Sequence, residues 1–229
     1  MASVAASTPE LDRLGTVRIR QPVFRSTQPM PAEEGAGQEI DLRQLRHHTK
    51  NTLQRVIALI TEIPGLTGTP EGEKIAREIE YRITLSATIS NALFGLTEAP
   101  GSMADRLRQL GGAVVEMLRD PDQVIRIGVS VRGTCPATLR EAVVRSANEL
   151  VSNAVKHGMK TRPSGRITVR LVTQGEMTTL TVTDNGWGVS GTPRQGEGLS
   201  LAQGFAERHG GCLHLENCGG TVAIMELMH

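Results

Sequence analysis

The sequence predicts an α+β protein in two parts. A helical hairpin comes first, and an α/β sandwich follows, with one mixed sheet and its helices on one face. Three observations predict this. Apolar residues recur at alternating spacings of three and four between about 41 and 63, and again on one side between about 71 and 97. The segment Pro64-Gly65-Leu66-Thr67-Gly68-Thr69-Pro70 breaks the two runs apart. Beyond Ala99-Pro100-Gly101 the period turns mixed, with alternating strands, hairpin turns and separate helical stretches.

Residues 1–38 read as an arm. They hold Ser, Thr, Pro, Gly and Ala without sustained period, as in Ser26-Thr27-Gln28-Pro29-Met30-Pro31. Val17 to Phe24 reads as a short strand or a docking peptide, too short for a sensor domain. Residues 39–99 form the hairpin unit. In its first helix Leu42, Leu45, Thr49, Thr52, Val56, Leu59 and Ile63 make a seam, which Leu53, Ile57 and Ile60 widen. Its second helix carries Ile75, Ile79, Ile83, Ile89, Leu93 and Leu96. A hairpin cannot bury so wide a stripe alone. Pairing with a second copy into a four-helix bundle covers it; packing on the chain's own second domain is the alternative. Residues 100–229 form the second domain. Helices are expected over about 103–119, 137–157 and 198–209. Strands are expected over about 124–131, 166–172, 178–183, 212–217 and 221–227.

Composition narrows the function classes. The chain has 229 residues, 38% apolar and 21% charged, enough to bury a core. Aromatics make up 2%, so the core is aliphatic and no stacking platform for single-stranded nucleic acid is expected. The formal charge is +1, from 25 basic and 24 acidic residues, which predicts neither a nucleic-acid partner nor an anionic membrane. Cys135, Cys212 and Cys218 form no C-x-x-C pair, and neither a zinc site nor a disulfide framework is expected. No apolar run approaches the ~20 residues of a bilayer span. With no signal-like N-terminus, a soluble cytoplasmic protein without membrane insertion is expected.

Five segments carry chemistry. In Leu45-Arg46-His47-His48-Thr49-Lys50-Asn51, Leu45 and Thr49 lie on the seam, and His47 lies roughly 200° from Thr49 on the helix. His47 therefore points to solvent. A neutral imidazole there is a nucleophile, although a bare His-His pair is more often two surface histidines. In Asn148-Glu149-Leu150-Val151-Ser152-Asn153-Ala154-Val155-Lys156-His157-Gly158, helical spacing puts Glu149, Asn153, Lys156 and His157 on one face. That set suits a hydrated magnesium ion and phosphates, or is a plain solvated face. Asp184-Asn185-Gly186-Trp187-Gly188 follows an apolar strand. A carboxylate at a strand end can accept from the exocyclic amine of a base, and the same residues also make a good turn. Gly196-Glu197-Gly198-Leu199 opens a helix, whose first amides attract phosphate. Gly210-Gly211 and Gly219-Gly220-Thr221 fit hairpin turns.

In this order and spacing the segments resemble sensor histidine kinases of two-component systems, over about residues 41–227. The second domain resembles the GHKL-type ATP-binding domain, shared with gyrase-type ATPases and anti-sigma-factor serine kinases. The box His47-His48-Thr49-Lys50-Asn51 resembles the H-R-V-K-N box of the HWE-type subgroup and its relatives. Aligned on Lys50-Asn51, the family's phosphoacceptor falls on His47, already placed outward by the helical period. The resemblance implies ATP and Mg2+ as cofactors. It makes Asn153 the magnesium ligand and Glu149 a water- or base-orienting carboxylate. Lys156 and His157 then sit near the phosphates. Asp184 takes the adenine amino group, with Gly186 and Gly188 beside the base. Gly196 and Gly198 flank the triphosphate, and Thr221 holds a water near adenine.

The chain departs from the pattern in three places. His48 and Thr49 replace Arg and Val of the box. No acidic residue follows His47. The lid, Val189-Ser190-Gly191-Thr192-Pro193-Arg194-Gln195, is short, and Arg194 is the only cation in it to reach a γ-phosphate. The expected function is an ATP-dependent protein-histidine kinase that phosphorylates His47 and passes the phosphoryl group to an Asp of a response-regulator receiver domain. A homodimer and a separate sensor protein are the expected partners, since neither a receiver nor a sensor domain is recognisable. The alternatives are a histidine phosphotransferase with a degenerate ATP domain and an anti-sigma-type serine kinase.

Overall fold

The computed structural model describes residues 69–94, 102–189 and 197–229. The arm, the first expected helix, the break at Ala99-Pro100-Gly101 and most of the lid lie outside these residues.

Helix α1, Pro70–Phe94, begins where its sequence says it should. Pro70 occupies the first helical position, where a missing N–H costs nothing. The Thr69 hydroxyl accepts from the Gly72 amide at 3.1 Å, and Glu71 and Glu73 face the positive end of the helix dipole. The helix divides its apolar stripe. Leu85 and Ala92 are buried, and Ile89 and Leu93 pack on the main core. Towards the start, Ile75 and Tyr81 stand 53% and 47% exposed. The C-terminal half thus docks on the chain's own second domain, which the sequence reading held only as the alternative to a bundle.

Helix α2, Met103–Leu118, starts at Ser102, whose hydroxyl accepts from the Asp105 amide at 3.1 Å. It lies on strand β1, Val124–Arg132. Gly111 permits the close approach, because a Cβ there would stand 2.5 Å from Ile127 Cδ1. Helix α3, Arg140–Asn153, follows a short 3-10 turn at Ala137–Leu139 and ends in a π turn, Ala154–Gly158. The remaining elements are β2 (Ser164–Gln174), β3 (Met177–Asp184), α4 (Glu197–Arg208), β4 (Leu213–Asn217) and β5 (Thr221–Met228).

The strands form one sheet in the order β1-β2-β3-β5-β4. β1 and β2 are parallel, and the other pairs are antiparallel. Alternation decides the two faces. Ile167, Val169, Leu171, Leu180, Val182, Met225 and Leu227 point into the core with Leu107, Val114, Val143 and Leu150 of the helices. Arg166, Thr168 and Arg170 point away from it and are exposed. The helices therefore cover one face, as the sequence predicts, and the other carries polar and mixed side chains. No described helix is long and apolar enough to cross a membrane.

Leu180 is fully buried in the central strand. Leu180→Ala is expected to cost about 2–5 kcal/mol through lost transfer and a residual cavity. Urea unfolding followed by circular dichroism measures this as a lower midpoint with unchanged slope.

Candidate functional site

A cavity of about 430 Å³ opens between the end of α3, the ends of β3 and β5, and the start of α4. Its inner wall is apolar, from Leu150, Ala154, Val182, Leu199, Leu215 and Ala223. Its polar lining includes Asn153, His157, Lys160, Asp184 and Thr221, with Trp187 at the rim, 67% exposed. An apolar slot with a few convergent polar groups is the usual form of a small-molecule site.

Asp184 is the one buried carboxylate among the described residues, with 4% of its surface exposed. It is the last residue of β3, so its side chain follows the inward alternation of Leu180 and Val182. Oδ1 accepts from the Gly186 amide at 2.8 Å and from the Thr221 amide at 3.3 Å. Oδ2 takes no hydrogen bond from any described residue, so it is an open acceptor on a cavity-lining side chain. Glycine makes the packing around it possible. A Cβ at Gly158 would stand 2.8 Å from Oδ1, and one at Gly186 would collide with the Gly158 carbonyl. That carbonyl accepts from the Trp187 amide at 3.1 Å. The Trp187 indole N–H donates to the Lys160 carbonyl at 2.8 Å, and the Arg162 guanidinium lies 5.2 Å from the ring centre. Trp187 is thus pinned at the cavity rim.

The π turn alters one expectation. The Met159 amide donates to the Ala154 carbonyl at 2.9 Å, five residues back. Each residue of such a turn advances less than the ~100° of an α-helix. Asn153 and His157 line the cavity, while Lys156 is exposed and outside the lining. The helical spacing that put Lys156 on the same face assumed an unbroken α-helix. Lys160, which sequence reading missed, supplies a cation at the rim instead.

The other expected positions fall as follows. Gly188 and Gly198 line the cavity, and Gly186 is buried behind Asp184. Glu149 stands behind Gly198, so close that a Cβ at Gly198 would collide with Glu149 Oε2. Its other oxygen accepts from the Asn148 amide group at 2.9 Å. His47, Arg194 and Gly196 lie outside the described residues. Asn217 at the end of β4 was also missed. Its Oδ1 accepts from the Val189 amide at 2.6 Å, and its Nδ2 donates to the Val189 carbonyl at 2.7 Å. It thereby fixes the segment leaving Gly188. Asn followed by Cys and two glycines looks like turn chemistry, which hid this role.

Residues 138–228 match the family of histidine kinase-, DNA gyrase B- and HSP90-like ATPases. This part of the chain is an ATPase domain of that type, and such a domain implies ATP binding. Over 169 residues the chain is 25% identical to sensor histidine kinase PdtaS of Mycobacterium tuberculosis, covering 72% of this chain and 31% of the relative. The chain therefore spans about a third of that protein's length. The fold is also that of the histidine kinase domain of the Erythrobacter litoralis EL346 blue-light activated histidine kinase. The TM-score is 0.52 at 17% identity, covering 86% of this chain and 94% of that one. The longer EL346 structure gives a TM-score of 0.51 at 18% identity, covering 82% and 59%. The chain is thus similar to sensor histidine kinases, and its residues 138–228 carry the ATPase domain.

Asn217→Ala removes both side-chain bonds to Val189. A loss of about 1 kcal/mol in local stability corresponds to about fivefold faster amide exchange at Val189. Hydrogen–deuterium exchange read by NMR should show this rise there while the Leu180 amide keeps its protection.

Proposed function

We propose that the chain is an ATP-dependent protein-histidine kinase that phosphorylates His47 and hands the phosphoryl group to an Asp of a response-regulator receiver domain. The observation that carries the reading is Asp184: a buried carboxylate with one oxygen held by two backbone amides and the other open in an apolar slot. An adenine presents an apolar face and an amino N–H donor, which match Val182, Leu215, Ala223 and Asp184 Oδ2. Thr221 adds a hydroxyl beside Asp184, suited to holding a water at the base. Gly188 lines the cavity beside the ring, and Gly186 lets the backbone close behind Asp184. His157 and Lys160 supply donors and positive charge for the phosphates, with Arg194 and the amides after Gly196 and Gly198 as further donors. Lys156 serves at longer range.

Asn153 offers a side-chain oxygen in the cavity, which suits Mg2+, a cation that takes few protein ligands. When bound, Mg2+ would neutralise charge on the phosphates. The neutral His47 ring attacks the γ-phosphorus. An N–P bond forms, the bond to the β–γ bridging oxygen breaks, and ADP leaves with the electron pair. The imidazole then loses its remaining ring proton. The transition state is loose, so alignment and charge neutralisation supply most of the catalysis. Glu149, whose Oε2 lies behind Gly198, is the carboxylate we assign to orienting a water or the accepting base. The exposed Ile75 and Tyr81 at the start of α1 favour a homodimer, paired through this part of the hairpin, and a separate sensor protein acting on it. Sedimentation of the full chain at micromolar concentration should give the dimer mass; a monomer would remove this part of the reading.

The test uses γ-labelled ATP with magnesium on the wild type, His47→Gln and Asp184→Asn. Acid-labile, base-stable label is expected on the wild type alone. His47→Gln should still bind ATP, whereas Asp184→Asn should bind at least ~10-fold more weakly, the value of a buried hydrogen bond to a charged group. Wild-type protein that binds no ATP would overturn the reading in favour of a phosphotransferase. Label moving to a partner's serine without need of His47 would make the chain a serine kinase.

A further inference from the structure

On the sheet face opposite the ATP cavity, β4 and β5 bring together three side chains that the kinase reaction does not use. The Glu226 amide donates to the Cys212 carbonyl at 2.8 Å, so these residues sit directly across the strand pair. His214 lies two residues further along and projects from the same face. Their neighbours Leu213, Leu215, Met225 and Leu227 point inward and are buried. The Cys212 sulfur is 2.9 Å from His214 Nε2 and 3.4 Å from Glu226 Oε2. The three potential donor atoms lie within 4.8 Å of one another, and all three residues are half-buried. Cys212 is a thiol, not part of a disulfide.

We propose that Cys212, His214 and Glu226 form a site for a divalent transition metal of the zinc class. A thiolate, an imidazole and a carboxylate make a mixed S/N/O set that suits a borderline-soft ion and is a poor match for Mg2+ or Ca2+. Tetrahedral bonds of about 2.0–2.3 Å hold neighbouring donors about 3.3–3.8 Å apart. The carboxylate–sulfur distance already falls in that range. The sulfur–imidazole distance must open by less than an ångström. The imidazole is free to turn, because His214 Nδ1 is buried and has no partner that would resist rotation of the ring. Three protein donors leave the fourth position to water. On binding, the Cys212 thiol gives up its proton to solvent and the thiolate donates its electron pair to the metal.

A purely hydrogen-bonded cluster explains the geometry less well. A thiol is a weak donor to an imidazole nitrogen or a carboxylate, whereas a thiolate is a strong ligand for a zinc-class metal. The site was invisible as a sequence motif, since Cys212 and His214 are spaced as Cys-x-His and Glu226 arrives from the next strand. It stands independently of the kinase reading.

The full chain, reduced and freed of metal with a chelator, is titrated with Co2+ and then with Zn2+. One cobalt per chain should bind with a near-ultraviolet thiolate-to-cobalt absorption, which zinc then bleaches. Cys212→Ser should remove the band, and Cys218→Ser should leave it. His214→Ala and Glu226→Gln should each weaken binding about 10–100-fold. In the wild type, Zn2+ should slow alkylation of Cys212 and leave Cys218 unaffected. Burial pushes the Cys135 thiol up to about 11, so this cysteine does not compete for metal at neutral pH. No saturable band, a band that survives Cys212→Ser, or Cys212 alkylation indifferent to zinc would overturn the proposal.

Discussion

The second domain is organised around one buried carboxylate. Asp184 closes β3, and its Oδ1 ties the following turn and the first amide of β5 to the same point. A charged group with 4% exposure is costly unless hydrogen bonds compensate it. Two backbone amides do so on one side only, which leaves a demand for a donor on the other. Close packing of backbone around it follows. Gly158 approaches from the π turn and Gly186 from the loop. Gly220, at φ +144°, lies against the Asp184 carbonyl, where a Cβ would collide. A side chain at any of these glycines would push a wall of the cavity outward. Binding geometry and local folding are therefore the same constraint here.

Most of the fold was legible because alternation and helical period are strong signals when a sheet has one covered face. The pattern of β3, alternating Thr178, Leu180, Val182 and Asp184 with Thr179, Thr181 and Thr183, reads directly as inside and outside. Its most informative member is Asp184, a charge at a position the pattern assigns to the core. The sequence reading instead ended the strand at about residue 183 and singled out Asp184 through the Asp-Asn-Gly-Trp-Gly segment that follows it. The π turn was not legible, because Ala154-Val155-Lys156-His157-Gly158 has nothing that distinguishes five-residue from four-residue hydrogen bonding. The wider turn is fixed by tertiary contacts, chiefly Gly158 against Asp184 and Trp187. Lys156 was misplaced by that turn, and Lys160 beyond it was overlooked.

The hairpin helix shows a limit of another kind. The isoleucines and leucines of α1 read as one stripe, and a stripe does not say which surface covers it. The structure splits it, with Ile89 and Leu93 on the core and Ile75 still exposed. Arg145 of α3 stacks on Phe94 at 5.4 Å, so the end of α1 is held against the helix that leads to Asn153. Movement of α1 would therefore act on α3, and α3 carries both Glu149 and Asn153.

The two faces of the sheet also assign different work to the same strands. Leu215 and Ala223 face the cavity, while His214 and Glu226 face away. Because side chains alternate strictly, a substitution on the outer face leaves the cavity lining intact, provided the β4–β5 pairing holds. Register is the single property the faces share. A slip of one residue would place Leu215 outside and His214 inside, emptying both the cavity wall and the Cys212 cluster. The aliphatic residues on the inner face oppose that slip, because each would move from the core into water at about 1.5–3 kcal/mol. The polar chemistry on both faces is thus held in place by side chains that take no part in it.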